Sequence, residues 1–217
     1  MEISILFEDR WLIVCVKPVG VVSEDGGMTD SLSAQLGCGR VYCVHRLDQA
    51  VGGVMVYAKD GKTAAKLSES MTGYGFHKEY LAAVPGCPEP EKGEMRDLLF
   101  HDARKNKTYV VDRRRAGVKE AVLQYESLQT VNLDNEKATL VRVVLETGRS
   151  HQIRAQFASR KMSLLGDGRY GSRVNIGSIA LLSHRIAFVH PVTQKAVDYK
   201  IPLPDGEPWN LFDGKMV

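Results

Sequence analysis

Short apolar runs separated by turn residues dominate the chain, and they predict more strands than helices. Residues 3–7 and 11–16 read as two strands around the polar turn Glu8-Asp9-Arg10. Lys17-Pro18-Val19-Gly20 then breaks the pattern, because Pro18 fixes φ and Gly20 frees it. Residues 24–30 are polar and glycine-rich and read as a loop, with a short helix over 31–36. Residues 53–58 are apolar on both faces, as expected of a strand covered on both sides. Asp60 is placed to cap a helix that carries Ala64, Leu67 and Met71 on one face and ends at Thr72-Gly73. Strands follow at 77–84, 107–112, 120–128 and 138–145. Gly148 marks a turn, and Ser150 is a candidate N-cap for a helix with Ile153 and Phe157 on its apolar face. On that helix Gln152 and Ser159 point away from the apolar face, Arg154 sits at its flank, and Arg149 lies at its mouth. Residues 180–189 and 195–201 read as further strands. Many strands with few, scattered helices predict a mixed α+β domain rather than a regular βαβ alternation.

Composition bounds this picture without changing it. The 217 residues suit one α/β domain or two small ones, and 44% apolar residues suffice for a core without disulfide or metal staples. The net charge of +3 permits a nucleic-acid partner only through a local basic face. Cys15, Cys38, Cys43 and Cys87 form no CxxC pair and no zinc spacing, so they read as thiols in a reducing cytoplasm. The acidic start MEISILFEDRWLIV does not resemble a signal peptide, and no apolar run approaches the roughly 20 residues of a membrane helix.

The candidate chemistry is a carboxylate. Phosphate-loop and GxSxG patterns are missing, and the histidines do not cluster at metal spacing. Asp48, in VHRLDQAVGGVMVYAK, stands where a polar stretch meets an apolar strand, a place where a rigid element can aim a side chain. It could serve as nucleophile or base, or simply cap a turn and pair with Arg46 on the surface. Two features lean toward RNA. Residues 103–119 hold seven Lys/Arg against one Asp, and Arg149, Arg154, Arg160, Arg169 and Arg173 surround the late helix. Tyr80, Tyr109 and Tyr170 could add base stacking, while a solvated hairpin and an exposed polar helix face are the plain alternatives.

Taken together, the segments resemble the RluA-type pseudouridine synthases. VHRLDQAVGGVMVYAK is similar to that family's HRLDxxTSGLLxxAK motif, which holds its catalytic aspartate. KPVGVVS, HKEYLAAVPG, LETGRSHQIRAQFA, LLGDGRYG and RIAFVHPVT resemble five further motifs in the family's order, covering nearly the whole chain. The resemblance implies a mixed, largely antiparallel sheet with flanking helices and an active-site cleft across the sheet. It implies an isomerase that converts uridine to pseudouridine in ribosomal or transfer RNA. Asp48 would be the catalytic carboxylate, Arg149 its charge partner, and Tyr80 a base-stacking residue active in the late proton transfer. Arg46 would order the site and contact RNA, Lys78 would line the pocket, and Arg154, Lys107 and Arg114 would complete the RNA contacts. The reaction is redox-neutral and transfers no external group, so no cofactor and no metal are expected.

Some positions depart from the family pattern. Val51 and Gly52 stand where Thr and Ser are usual, Gln156 where His is usual, and Leu182 where His often occurs. The missing hydroxyl pair motivates a rival reading, an RNA-binding or RNA-chaperone protein of the same fold with impaired catalysis. A nucleoside or sugar hydrolase would need a second carboxylate facing Asp48, and no motif supplies one. The organisation expected is a single catalytic domain over residues 1–217 without a separate N-terminal RNA-binding domain. A cytoplasmic monomer with no obligatory protein partner and no membrane association completes the expectation.

Overall fold

Runs that bury both faces leave their backbone donors and acceptors to neighbouring strands, and the strand-rich pattern resolves accordingly. The computed structural model describes residues 2–71, 75–133 and 136–216. In chain order the elements are β1 (Ser4–Glu8), β2 (Leu12–Lys17), α1 (Met28–Leu36), β3 (Tyr42–Cys43), β4 (Gly52–Ala58) and α2 (Gly61–Ser70). They continue with β5 (Phe76–Pro85), β6 (Lys92–Asp102), β7 (Lys107–Val111), β8 (Val118–Leu133), β9 (Glu136–Leu145), α3 (Gln152–Ser159), β10 (Leu181–Val189) and β11 (Ala196–Lys200). The fold is the mixed, largely antiparallel α+β class that the sequence predicts. The expected helix end at Thr72-Gly73 lies outside the described residues.

The chain divides into two units, Met1–Lys78 with Leu182–Ile201 and Glu79–Leu181 with Pro202–Val217. In the first, β2 runs antiparallel to both β1 and β4, with Leu12 opposite Ala58 and Lys17 opposite Gly53. β10 joins β4 in parallel and pairs antiparallel with β11, while β3 pairs with β4. Leu12, Val14, Val54 and Val56 form one wall of the core, closed by Leu67 of α2 and by Phe76, Ile186 and Phe188. Phe76 and Phe188 stack 4.9 Å apart. Gly53 has φ 124°, and a Cβ there would lie 2.2 Å from the Ser183 carbonyl oxygen. Only glycine lets β10 approach β4 this closely. Asp60 caps α2 as predicted, accepting from the Thr63 N–H at 2.9 Å. α1 begins at Met28, inside the stretch expected to be a loop, because Met28 and Thr29 are buried.

The second unit is an antiparallel series in the order β5, β9, β8, β6, β7. β6 is not foreseen in the sequence. Its charged residues Lys92, Glu94 and Arg96 alternate cleanly, but Leu98-Leu99-Phe100 then breaks the period, and pairing with both β8 and β7 holds it as a strand. α3 lays Ala155 against Leu99, Ala121 and Tyr170. Two expectations about α3 are corrected. His151, not Ser150, occupies the N-cap position, with φ 51° and no side-chain cap. Gln152 does not point to solvent: it is 3% exposed, because its amide is taken up by Thr147 and the Val122 carbonyl.

Candidate active site

Asp48 sits half-buried in the turn between β3 and β4, closed by the Val51 N–H donating to the Asp48 carbonyl at 2.9 Å. The turn is tied down on both sides. Leu47 exchanges two hydrogen bonds with the Ser23 hydroxyl, each 3.1 Å, and the Tyr57 hydroxyl donates to the Ser23 carbonyl at 3.0 Å. Gln49 is bound to Gly20 twice, its carbonyl accepting at 2.8 Å and its amide donating at 2.9 Å. A backbone fixed at this many points holds a side chain within the narrow tolerance that catalysis requires. The Lys17 ammonium acts on Asp48 from the end of β2.

The other nominated residues of this unit are Arg46 and Lys78. Arg46 is exposed and reaches Glu24 at 3.5 Å, a contact that leaves most of its guanidinium to solvent. The Lys78 ammonium lies 6.0 Å from the centre of the Phe76 ring, and burial pushes its pKa down. His45 accepts from the Val56 N–H through Nε2 at 3.1 Å and packs beside Phe76. Burial, with the Lys78 charge, pushes the imidazole pKa down to about 3, so His45 works as a neutral structural acceptor.

Tyr80 and Arg149 belong to the second unit. Tyr80 lies on β5 opposite Val143 of β9 and is 6% exposed. The Arg149 backbone N–H donates to Gln152 Oε1 at 3.0 Å, and its Nε donates to the Glu120 carbonyl at 3.0 Å. Gln152 thus fixes the turn before α3, through Arg149, Thr147 and Val122 together. Sequence reading missed this role because amphipathic spacing says nothing of a helix's first residue once a loop folds over it.

The basic residues sort differently from the expectation. Arg114 is exposed and pairs with Glu120 at 3.0 Å, beside Arg96, which reaches the same carboxylate at 2.7 Å. Lys107 donates to the Arg169 carbonyl at 2.7 Å. Arg154, nominated for RNA contact, is instead 4% exposed and grips Asp167 with two bonds of 2.7 and 2.9 Å. That bidentate pair commits its guanidinium to the interior of the unit. Tyr170, nominated for stacking, is buried as well. Its hydroxyl accepts from the Thr108 N–H at 2.8 Å and lies 3.1 Å from His151 Nδ1. Tyr109 remains an exposed aromatic. Among the described residues, no group of three His, Cys, Asp or Glu could hold a metal ion, and no helix is long and apolar enough to cross a membrane.

Comparison with known proteins places the chain. The RNA pseudouridylate synthase family model matches residues 11–159. The uncharacterized RNA pseudouridine synthase YhcT of Bacillus subtilis (strain 168) is 31% identical over 217 residues, covering 94% of this chain and 69% of its own length. Ribosomal large subunit pseudouridine synthase D of Zymomonas mobilis subsp. mobilis is 30% identical over 228 residues, covering 94% and 70%. The solved structure of Human RNA Pseudouridylate Synthase Domain Containing 4 has the same fold, with a TM-score of 0.77 at 24% identity over 93% of this chain and 89% of that one. The chain therefore belongs to the RNA pseudouridylate synthase family. It is an isomerase acting on RNA.

Proposed function

We propose that this enzyme converts particular uridines of ribosomal RNA to pseudouridine, with Asp48 as the catalytic carboxylate. The observation that carries the assignment is the Asp48 turn, fixed through Ser23, Gly20 and Val51 and joined at the Gln49 carbonyl to the buried Lys17 ammonium. A ribosomal target follows the name of the Zymomonas mobilis relative, and transfer RNA is the alternative. The N1–C1′ bond breaks, the uracil turns while held, C5 bonds to C1′ and then loses its proton. Atoms balance within the nucleotide. Asp48 starts this by attacking C1′, by adding to C6 or by taking a ribose proton, each of which needs an ionised carboxylate. Arg149 supplies the favourable charge and Tyr80 the stacking surface, roles their motifs carry. Extruding the uridine costs a few kcal/mol and is easiest in a loop. Arg46, Lys78, Lys107 and Arg114 bind the RNA, whereas Arg154 acts by holding Asp167 and α3. The enzyme works as a single catalytic domain, a cytoplasmic monomer without an obligatory protein partner.

Carbodiimide mapping of pseudouridine in ribosomal and transfer RNA, from cells with and without the gene, tests the reading. A site lost with the gene and restored by the wild-type chain but not by Asp48→Asn supports it. Restoration by Asp48→Asn sinks it.

A further inference from the structure

The sheet of the second unit has two faces of opposite character. Residues directly opposite each other across an antiparallel pair share a face. Leu99 and Ala121 lie on the face that α3 covers. Phe100 lies on the other, with Tyr109 opposite it on β7 and Val118 opposite it on β8. Arg96 and Leu98 share that side of β6. Tyr109 is 36% exposed, Leu98 and Phe100 are half-buried, and Arg96, Arg114 and Arg115 are exposed. The Arg115 guanidinium lies 4.7 Å from the centre of the Phe100 ring, and the Lys107 ammonium lies 5.7 Å from that of Tyr109. Aromatic rings on an open sheet face, each with a cation beside it, suit the stacking of unpaired bases.

Beside the rings is a place for a phosphate. The Glu120 carboxylate receives the Arg96 guanidinium on one oxygen at 2.7 Å and the Arg114 guanidinium on the other at 3.0 Å. Two guanidinium groups converging on one oxyanion is an arrangement that also holds a phosphate. Glu120 lies two residues from Val118, so about 7 Å along β8 separates it from the position facing Phe100. Ion pairs this exposed are weak, so one anion can replace another at little cost. The hairpin that carries the rings is already fixed. The Thr108 N–H donates to the Tyr170 hydroxyl and the Thr108 hydroxyl to the Ser150 carbonyl, both at 2.8 Å. Lys107 donates to the Arg169 carbonyl and Arg169 to the Asn106 carbonyl, both at 2.7 Å. A ligand on this face therefore does not have to order it.

We propose that the outer face of β6, β7 and β8 binds an unpaired stretch of the substrate RNA, with bases on Tyr109 and on the Phe100–Arg115 pair and a backbone phosphate in place of the Glu120 carboxylate between Arg96 and Arg114. This rests on the reading of the substrate as an RNA whose uridine lies in a loop, and it concerns nucleotides of that RNA other than the reacting one. Residues 103–119 carry seven Lys/Arg against one Asp, a field that favours a polyanion. A second copy of the chain would meet the same field, since a two-fold contact sets each patch against its own kind. Glu120 keeps the two arginines aligned before the RNA arrives and yields them to the phosphate when it does.

Fluorescence anisotropy tests this, with an oligouridine of about 12 nucleotides and an RNA duplex of matching length at about 0.15 M salt. The wild type binds the single strand more tightly than the duplex. Tyr109→Ala weakens single-strand binding by about 5- to 100-fold, the loss of one base stack, and leaves duplex binding within about twofold, while Tyr109→Phe binds as the wild type does. Glu120→Gln tightens single-strand binding by about threefold or more, because the arginines no longer have to leave a carboxylate. Glu126→Gln removes an equal charge about 20 Å along β8, beyond the screening length, and leaves binding unchanged. Iodouridine in the same oligomer, photocrosslinked to the wild-type chain, attaches to the peptide that bears Tyr109. The proposal is overturned if the crosslink maps elsewhere, if the wild type favours the duplex, if Tyr109→Ala leaves oligouridine binding unchanged or weakens the duplex as much, or if Glu120→Gln and Glu126→Gln act alike. A wild-type dimer in sedimentation that Tyr109→Ala dissolves also overturns it, in favour of a contact between copies. The crosslink and the strand preference are read on the wild type, so they stand even where a variant fails to fold. Binding is measured without turnover, so an active Asp48→Asn enzyme would refute the catalytic assignment and leave these outcomes untouched.

Discussion

Asp48 is informative because its surroundings constrain backbone rather than side chain alone. Asp48→Asn and Asp48→Ala are expected to abolish pseudouridine formation while changing RNA affinity by less than about threefold, under 1 kcal/mol, since the carboxylate itself adds no attraction to a polyanion. Filter binding and a pseudouridine assay on the same preparations check this. His45 gives a second expectation. Its pKa is held near 3 in the folded chain against an ordinary 6.5, so below pH 6.5 the unfolded chain takes up a proton that the folded chain refuses. Stability therefore falls as pH drops from about 6.5 toward 3, and the urea midpoint should show it. A His45→Gln variant, which still offers an acceptor to the Val56 N–H, should lose most of that slope. Asp48 was legible in the sequence through its motif and the five others in order, since the meeting of a polar stretch with an apolar strand left a surface ion pair equally open. The burial of Lys17 was not, because nothing local announces that a lysine will have no access to water.

The elements show where local pattern suffices. β2, β4 and α2 were readable from period and capping, and Asp60 caps α2 as the sequence suggests. β4 also shows the limit. The sequence reads Gly53 only as the first residue of a strand, yet a Cβ there would meet the Ser183 backbone of β10. Gly53→Ala forces a Cβ against the Ser183 backbone at a φ that alanine avoids, and should destabilise the fold by about 3 kcal/mol or more in denaturant unfolding. α3 depends on its buried ion pair with Asp167 in the same way. Arg154→Met leaves the Asp167 carboxylate buried without its partner and should cost about 3–5 kcal/mol, with much of that recovered in an Arg154→Met/Asp167→Leu double variant. Equal loss in single and double variants would show that the pair itself, rather than the stranded charge, matters. The sequence placed Arg154 at the flank of a helix. Only the loop bearing Asp167, thirteen residues on, encloses it.

For the molecule as a whole, a net charge of +3 is too small to bind RNA by itself, and the basic residues must act as a surface. Arg114 is exposed and Lys107 half-buried on the hairpin of the second unit, whereas Arg154 is buried. Lys107→Ala and Arg114→Ala should each weaken RNA binding similarly across sequences and lower the slope of log affinity against log salt by about 0.7–0.9, one phosphate contact apiece. Arg154→Met, corrected for its loss of stability, should leave that slope unchanged. The order of the six motifs, the strand-rich class and the nature of the chemistry were determined by the sequence, because motif residues and turn residues act through neighbours a few positions away. The tertiary structure decided which charges are buried, which glycine admits a neighbouring strand and which amide braces Arg149. Those outcomes depend on solvent access and on approaches between segments far apart in the chain, and no local pattern encodes either.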